Sequence, residues 1–253
     1  MIGVYNKKIH SIPSLVVVNQ ADENKALPVV TYFHGFTSAK EHNLALAFLL
    51  AEKGYRVILP DSMFHGERET EVSEEKKQIS FWDIVMQNVK ELKGIHEELN
   101  QEGLILDNRF GIAGTSMGGI TTSAALTQYP WIKVAGVLMG SPKITTYAKT
   151  LVNSFKEMGD LPITEDVIEQ LYEQLKQYDL STQMDKLEER PLFFWHGEND
   201  PTVPFDHSYT FYEEAAKLYT NKDDIRFVKE TDQDHKVTRF AILETVKWFE
   251  KHL

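Results

Sequence analysis

The residues in this chain that could do chemistry begin with a serine set between glycines. Gly114-Thr115-Ser116-Met117-Gly118 fits the pattern G-x-S-x-G, in which a serine is held on a sharp turn between a strand and a helix. Side chains at Gly114 and Gly118 would crowd the neighbouring backbone, so glycine at both positions lets Ser116 be presented in a strained conformation. The flanks agree: Phe110 to Ala113 is a short apolar run suited to a buried strand, and Gly119 to Tyr129 is rich in alanine and threonine and ends at Pro130. A serine hydroxyl is a poor nucleophile at neutral pH, so it needs a histidine to take its proton and a carboxylate to orient that histidine. Asp200 follows the apolar run ending at Trp195, and His235 follows the run ending near Lys229. Serine, carboxylate and histidine therefore fall in that order, each on a loop after a strand. Glu198, close by, is the alternative acid, and the bland alternative for the pentapeptide is a glycine-rich turn with an inert serine.

The elements that must position these groups alternate along the chain. Tyr5 to Ile12 and Leu15 to Asn19 read as a hairpin separated by Pro13-Ser14. Pro28 to Phe33 is an apolar strand leading into His34-Gly35-Phe36-Thr37. Glu41 to Lys53 follows with apolar residues at helical spacing and Gly54 at its C-cap. Tyr55 to Leu59 is the next buried strand, and strand, helix, strand in this rhythm predicts a parallel sheet. Asp61 to Lys77 reads as a long polar surface loop containing His65-Gly66. Ser80 is then a candidate N-cap for a helix to about Gln101, with Trp82, Val85, Val89, Leu92, Ile95 and Leu99 on one stripe. Strands are expected at Val134 to Met139, Pro191 to Trp195 and Ile225 to Lys229, and helices at Phe205 to Tyr219 and Lys236 to His252.

Lys143 to Glu189 breaks the rhythm with two amphipathic helix candidates. One carries Leu151, Phe155 and Met158; the other, after Pro162 with Thr164 as N-cap, carries Ile168, Leu171, Tyr172 and Leu175. Both ends of this insertion should lie near the edge of the sheet that presents Ser116, so it is expected to form a small helical cap, with Phe155 and Leu171 walling a pocket for short acyl chains. The alternative is an extended crossover whose apolar faces merely pack on the sheet.

A chain of 253 residues with 42% hydrophobic content can fill one large α/β core, and no repeat or linker divides it. The formal net charge of −11 argues against nucleic acid and anionic membrane surfaces, which reward clustered Lys and Arg. The absence of cysteine, of an apolar leader and of any long apolar run makes a cytoplasmic location the expectation. His10, His42, His96, His207 and His252 show no pairing at metal-ligand spacing, so no metal is expected.

Over nearly its whole length the chain resembles an α/β-hydrolase, most closely the bacterial carboxylesterases related to the catalytic domains of the prolyl oligopeptidase group. The residues that carry the resemblance are His34-Gly35-Phe36, Asp61 with His65-Gly66, Gly114 to Gly119, His196-Gly197-Glu198-Asn199-Asp200-Pro201-Thr202-Val203-Pro204, and His235. It departs from many relatives in carrying Asp234 where they have a glycine before the histidine. The resemblance implies a mostly parallel central sheet with helices on both faces, Ser116 as nucleophile, Asp200 as acid and His235 as base. It also implies an oxyanion hole made by the backbone N–H groups of Phe36 and Met117, and it gives His34 and His65 structural roles in their turns. The expected activity is cleavage of a small-molecule carboxylic ester through an acyl-enzyme, without cofactor. A peptidase or amidase using the same residues is the alternative, disfavoured because these residues include no propeller domain of the kind that selects short peptides. A catalytically silent binding protein is a further one.

Overall fold

Strand alternation builds two cores on one sheet. The computed structural model describes residues 1–159 and 164–253; Pro162, expected just before the second insertion helix, lies outside them, as does the side chain of Met158. The strands are β1 (Ile2–Ile9), β2 (Ile12–Asn19), β3 (Leu27–Phe33), β4 (Arg56–Pro60), β5 (Ile105–Thr115), β6 (Val134–Leu138), β7 (Leu192–Gly197) and β8 (Ile225–Glu230). They form an eight-stranded sheet in the order β1-β2-β4-β3-β5-β6-β7-β8, antiparallel at β1-β2 and β2-β4 and parallel across the rest. Successive side chains point to opposite faces. Val29, Ile58, Ile112, Val137 and Phe194 therefore enter one core, while Val30, Val57, Ala113, Leu138 and Trp195 enter the other.

Helices α1 (Leu44–Glu52) and α8 (Arg239–His252) cover the second core; α3 (Phe81–Gln101), α4 (Met117–Gln128) and α7 (Phe205–Leu218) cover the first. The stripe of α3 is buried as its spacing requires, from Trp82 at 5% exposure to Ile95 at 0%. Helix α1 stops in a Schellman arrangement: Tyr55 N–H donates to Leu50 O at 3.2 Å and Gly54 N–H to Ala51 O at 3.1 Å, with Gly54 at φ +90°. The insertion supplies α5 (Ile144–Met158) and α6 (Glu165–Lys176), which pack on each other. Ile144, Ala148 and Leu175 join the core on the α3 and α4 side.

Two local expectations are corrected, and two N-caps are met in position without a side-chain bond. The hairpin turns at His10-Ser11, whose φ values of 49° and 65° suit a two-residue turn, with Ile9 paired to Ile12. Pro13 is tolerated at the end of the β2-β4 ladder: its carbonyl still accepts from Asp61 N–H at 2.9 Å, and Asp61 O, which a Pro13 N–H would have met, accepts from Arg68 Nη1 at 3.0 Å instead. The stretch from Asp61 to Lys77 is not only surface loop: Asp61 and Ser62 are fully buried, and Ser73 caps a further helix, α2 (Glu74–Ile79), accepting from Lys76 N–H at 3.1 Å. Ser80 and Thr164 occupy N-cap positions but make no side-chain cap bond; their carbonyls accept the first helical N–H groups instead.

Candidate active site

Ser116 stands between β5 and α4 at φ 54°, ψ −114°, a backbone conformation that a residue other than glycine adopts only under constraint. Several contacts impose it. Ser116 N–H donates to Leu138 O at 2.9 Å, and its carbonyl accepts from Ile120 N–H at 2.9 Å. A Cβ on Gly118 would stand 2.0 Å from Phe33 O, and one on Gly114 would stand 2.3 Å from Gly118 C. The glycines thus let β5 and α4 approach closely enough to hold the serine upright at the carboxyl edge of the sheet.

Two later strands end beside it. His235, on the loop after β8, places Nε2 2.8 Å from Ser116 Oγ and Nδ1 2.6 Å from Asp200 Oδ2. Gly197 allows that loop to pass, since a Cβ there would lie 2.6 Å from Gln233 O. Asp200, after β7, is locked from both sides. Its Oδ1 accepts from Thr202 N–H at 2.8 Å and Val203 N–H at 2.9 Å; its Oδ2 also lies 3.0 Å from Nε2 of the buried His196. Burial alone would raise the Asp200 pKa, but the bonds from His196, His235 and Val203 N–H outweigh it and hold the carboxyl well below the usual carboxylate range. The buried acid is therefore ionised and hydrogen-bonded to the imidazole that faces the serine. Glu198, the other candidate, turns away and pairs with Lys229 at 2.9 Å.

The loop after β3 closes the opposite side. A Cβ on Gly35 would lie 3.6 Å from Ser116 Cβ, so the peptide carrying Phe36 N–H runs beside the serine. Among the described residues, neither Phe36 N–H nor Met117 N–H donates to a protein acceptor. His34 orients the peptide: its Nδ1 donates to Gly35 O at 2.7 Å, while Nε2 accepts from Ser62 N–H at 3.0 Å, an arrangement that requires the neutral ring. Burial lowers its pKa from 6.5 to about 4. His65 sits behind, with Nε2 3.1 Å from Phe36 O and Nδ1 2.7 Å from Met63 O, the structural place expected of it.

Sequence reasoning missed what fastens this loop. Lys40 is 1% exposed and bonds Asp61 Oδ2 at 2.6 Å, Glu67 at 2.9 Å and Glu41 at 3.0 Å. Burial alone would lower its pKa, but these carboxylates raise it above the ordinary lysine value. Gly66, at φ +53°, leaves room for the Asp61 carboxylate, which a Cβ would meet at 2.2 Å. His196 stood in the quoted motif without a role. The close spacing of His196 and Asp200 on one strand-end turn was the available signal; Lys40 offered none.

The insertion is placed less directly. Phe155 is half-buried on α5. Leu171 packs against the core and lines a shallow cleft with Ile79, Trp82 and Val167, a cleft that Ser116 and His235 do not line. Tyr147 on α5 does reach the acid loop, donating to Thr202 O at 3.1 Å. Asp232 and Asp234 are exposed.

Residues 42–253 match the prolyl oligopeptidase family. The chain is 42% identical to a Bacillus subtilis (strain 168) protein named provisionally as the esterase YitV, over the full length of both, and 27% identical to the esterase YjfP of Escherichia coli (strain K12), again over both full lengths. Among solved structures, the crystal structure of TT1662 from Thermus thermophilus superposes with a TM-score of 0.78 at 18% identity, covering 99% of this chain and 98% of that one.

Proposed function

This chain belongs to the prolyl oligopeptidase family and is a serine hydrolase of the α/β-hydrolase fold; from that premise we propose that it cleaves small carboxylic esters through an acyl-enzyme on Ser116. The observation that carries the reading is the unbroken path from Ser116 Oγ through His235 to Asp200 Oδ2. Ser116 O–H donates to neutral His235 Nε2 and attacks the ester carbonyl as the proton moves to the imidazole. Asp200 fixes the tautomer of the neutral imidazole and stabilises the imidazolium once it forms. The carbonyl oxygen, now negative, is received by Phe36 and Met117 N–H, and the N-terminus of α4 beneath Ser116 adds a favourable dipole. The imidazolium then gives its proton to the departing alcohol. Water repeats the sequence on the acyl-enzyme.

Ester preference follows the esterase names of both relatives, while the family description leaves amide cleavage as the competing outcome. A panel of p-nitrophenyl esters and the matching anilides separates them: esters are expected to turn over and anilides not. Efficient anilide hydrolysis would make the chain a peptidase or amidase.

The insertion from about Lys143 to Glu189 is, in this reading, a cap that bounds the acyl side within a single domain. Its support is the reach of Tyr147 to the acid loop. If Phe155 or Leu171 lines the acyl pocket, alanine there changes the ratio of kcat/KM for acetate and longer esters more than it changes Tm. A large loss of Tm with an unchanged ratio would make both residues core. A cytoplasmic setting suits a chain without cysteine; among the described residues no helix is long and apolar enough to cross a membrane.

A further inference from the structure

On the face opposite the insertion there is a space that His235 lines, although Ser116 itself does not. A cleft of about 430 Å³ opens between the start of α1 and the His235 loop. Its floor is Tyr32, Thr115 and Met139, at the carboxyl ends of β3, β5 and β6, and its walls include Leu46, Val237 and Ile242. His235 itself is one wall, and Thr115 directly precedes Ser116. The floor's two hydroxyls bond each other, Tyr32 Oη with Thr115 Oγ1, which satisfies one of their two O–H donors and leaves the other for a guest or water.

We propose that this cleft receives the alcohol portion of the ester, and that it suits an uncharged aryl or branched alkyl alcohol. The proposal rests on the esterase reading above. After attack, the tetrahedral carbon bears Ser116 Oγ, the oxyanion directed to Phe36 and Met117 N–H, the acyl chain and the leaving oxygen. The proton needed to release the alcohol is on His235 Nε2, so the leaving oxygen must lie on the His235 side of Ser116. Whatever is attached to that oxygen extends toward the space that His235 walls. The insertion lies toward the other core, where Ile144, Ala148 and Leu175 are buried, so acyl and alcohol portions are held by different faces of the molecule.

The chemistry of the lining sets the class. In a chain of net charge −11, no Asp or Glu lines this cleft. Lys236 is its one lysine, exposed at the rim, and the remaining polar lining is Ser38, His42 and Asn43. A quaternary ammonium alcohol finds no carboxylate there, whereas an apolar alcohol gains from covering Leu46, Val237 and Ile242.

Ala45 is an exposed α1 residue that lines the cleft, which makes Ala45→Trp a filling substitution that need not disturb the core. Ile242→Ala is the enlarging counterpart. With acetate held constant as the acyl group, kcat/KM is measured for the methyl, benzyl and 1-naphthyl esters. Ala45→Trp is expected to lower the naphthyl-to-methyl ratio roughly tenfold, equivalent to about 1.4 kcal/mol of differential binding. Ile242→Ala is expected to raise that ratio. Hydrolysis of the common acetyl-enzyme should not change in either variant, since the alcohol has already left, and neither should the ratio of p-nitrophenyl acetate to p-nitrophenyl hexanoate. If that acyl ratio moves while the alcohol ratio does not, the cleft is an acyl site and the proposal is overturned; if neither moves, the cleft is no subsite. Should Ala45→Trp fail to fold, Ile242→Ala decides alone. A wild-type protein that turns over no ester contradicts the esterase reading itself, a different result from an active enzyme indifferent to both substitutions.

Discussion

His196 Nε2 and Asp200 Oδ2 lie 3.0 Å apart, and the same carboxylate oxygen faces His235 Nδ1 at 2.6 Å. The carboxylate that faces the His235 imidazole is thus itself held by a second imidazole, which is fully buried and anchored through Nδ1 to Ser208 Oγ at 2.7 Å. With Oδ1 taken by Thr202 and Val203 N–H, the acid has little freedom to rotate away from His235.

Two substitutions separate the roles of acid and support. Asp200→Asn offers His235 an amide that can favour the wrong tautomer, and it should lower kcat by about 10⁴ with the fold retained. His196→Ala leaves the carboxylate in place but removes its support, so kcat should fall by roughly ten- to a hundredfold with little change in KM. Steady-state kinetics on one ester reads both. Unchanged turnover in Asp200→Asn would remove the acid from the mechanism.

Protonation of His34 should destabilise the protein. The folded site depresses its pKa from 6.5 to about 4, so the unfolded chain takes up the proton first as pH falls. Stability from this group is complete above pH 6.5, declines between 6.5 and 4, and is level below; the full loss is roughly 3 kcal/mol. Urea midpoints at pH 7, 5 and 4 should therefore fall more steeply for wild type than for His34→Asn, whose amide can still donate to Gly35 O but does not titrate. Parallel slopes would show that His34 is not held neutral.

Lys40 and Asp61 should behave as a coupled pair. Lys40→Met leaves a buried carboxylate without its cation and should cost about 3 kcal/mol or more. Asp61→Asn should then cost less in the Lys40→Met background than in wild type. Additive losses in a double-mutant cycle would mean the pair contributes only through packing.

The strand endings were legible because the chain punctuates them. Phe33 gives way to His34-Gly35, Thr115 to Ser116, and Trp195 to His196-Gly197, and each change from apolar run to glycine or polar residue marks where a buried strand meets its loop. The meeting of Ser116, Asp200 and His235 then follows from parallel strands sharing one carboxyl edge. Lys40 was not legible, because a lysine in a polar loop looks solvated until its partner Asp61 is known to be buried on the adjacent strand end. The first hairpin misled for a local reason: Pro13 looks like a turn residue, and nothing in His10-Ser11 announces the left-handed conformations that make the turn. Helix α2 was hidden by its charged composition, although Ser73 with Glu74 and Glu75 is a capping signal that pattern reading of apolar residues passes over.

The central claim is that Ser116 forms the acyl-enzyme with His235 as its base, and covalent labelling tests it most directly. Wild type, Ser116→Ala and His235→Ala are each treated with a fluorophosphonate and digested, and the peptides are analysed by mass spectrometry, with circular dichroism as the check on folding. The expected result is one adduct per wild-type chain, on the peptide containing Ser116, with none on the Ser116→Ala protein and labelling slowed by several orders of magnitude in His235→Ala. Labelling at another residue, or near wild-type ester turnover by a folded Ser116→Ala variant, would contradict the account.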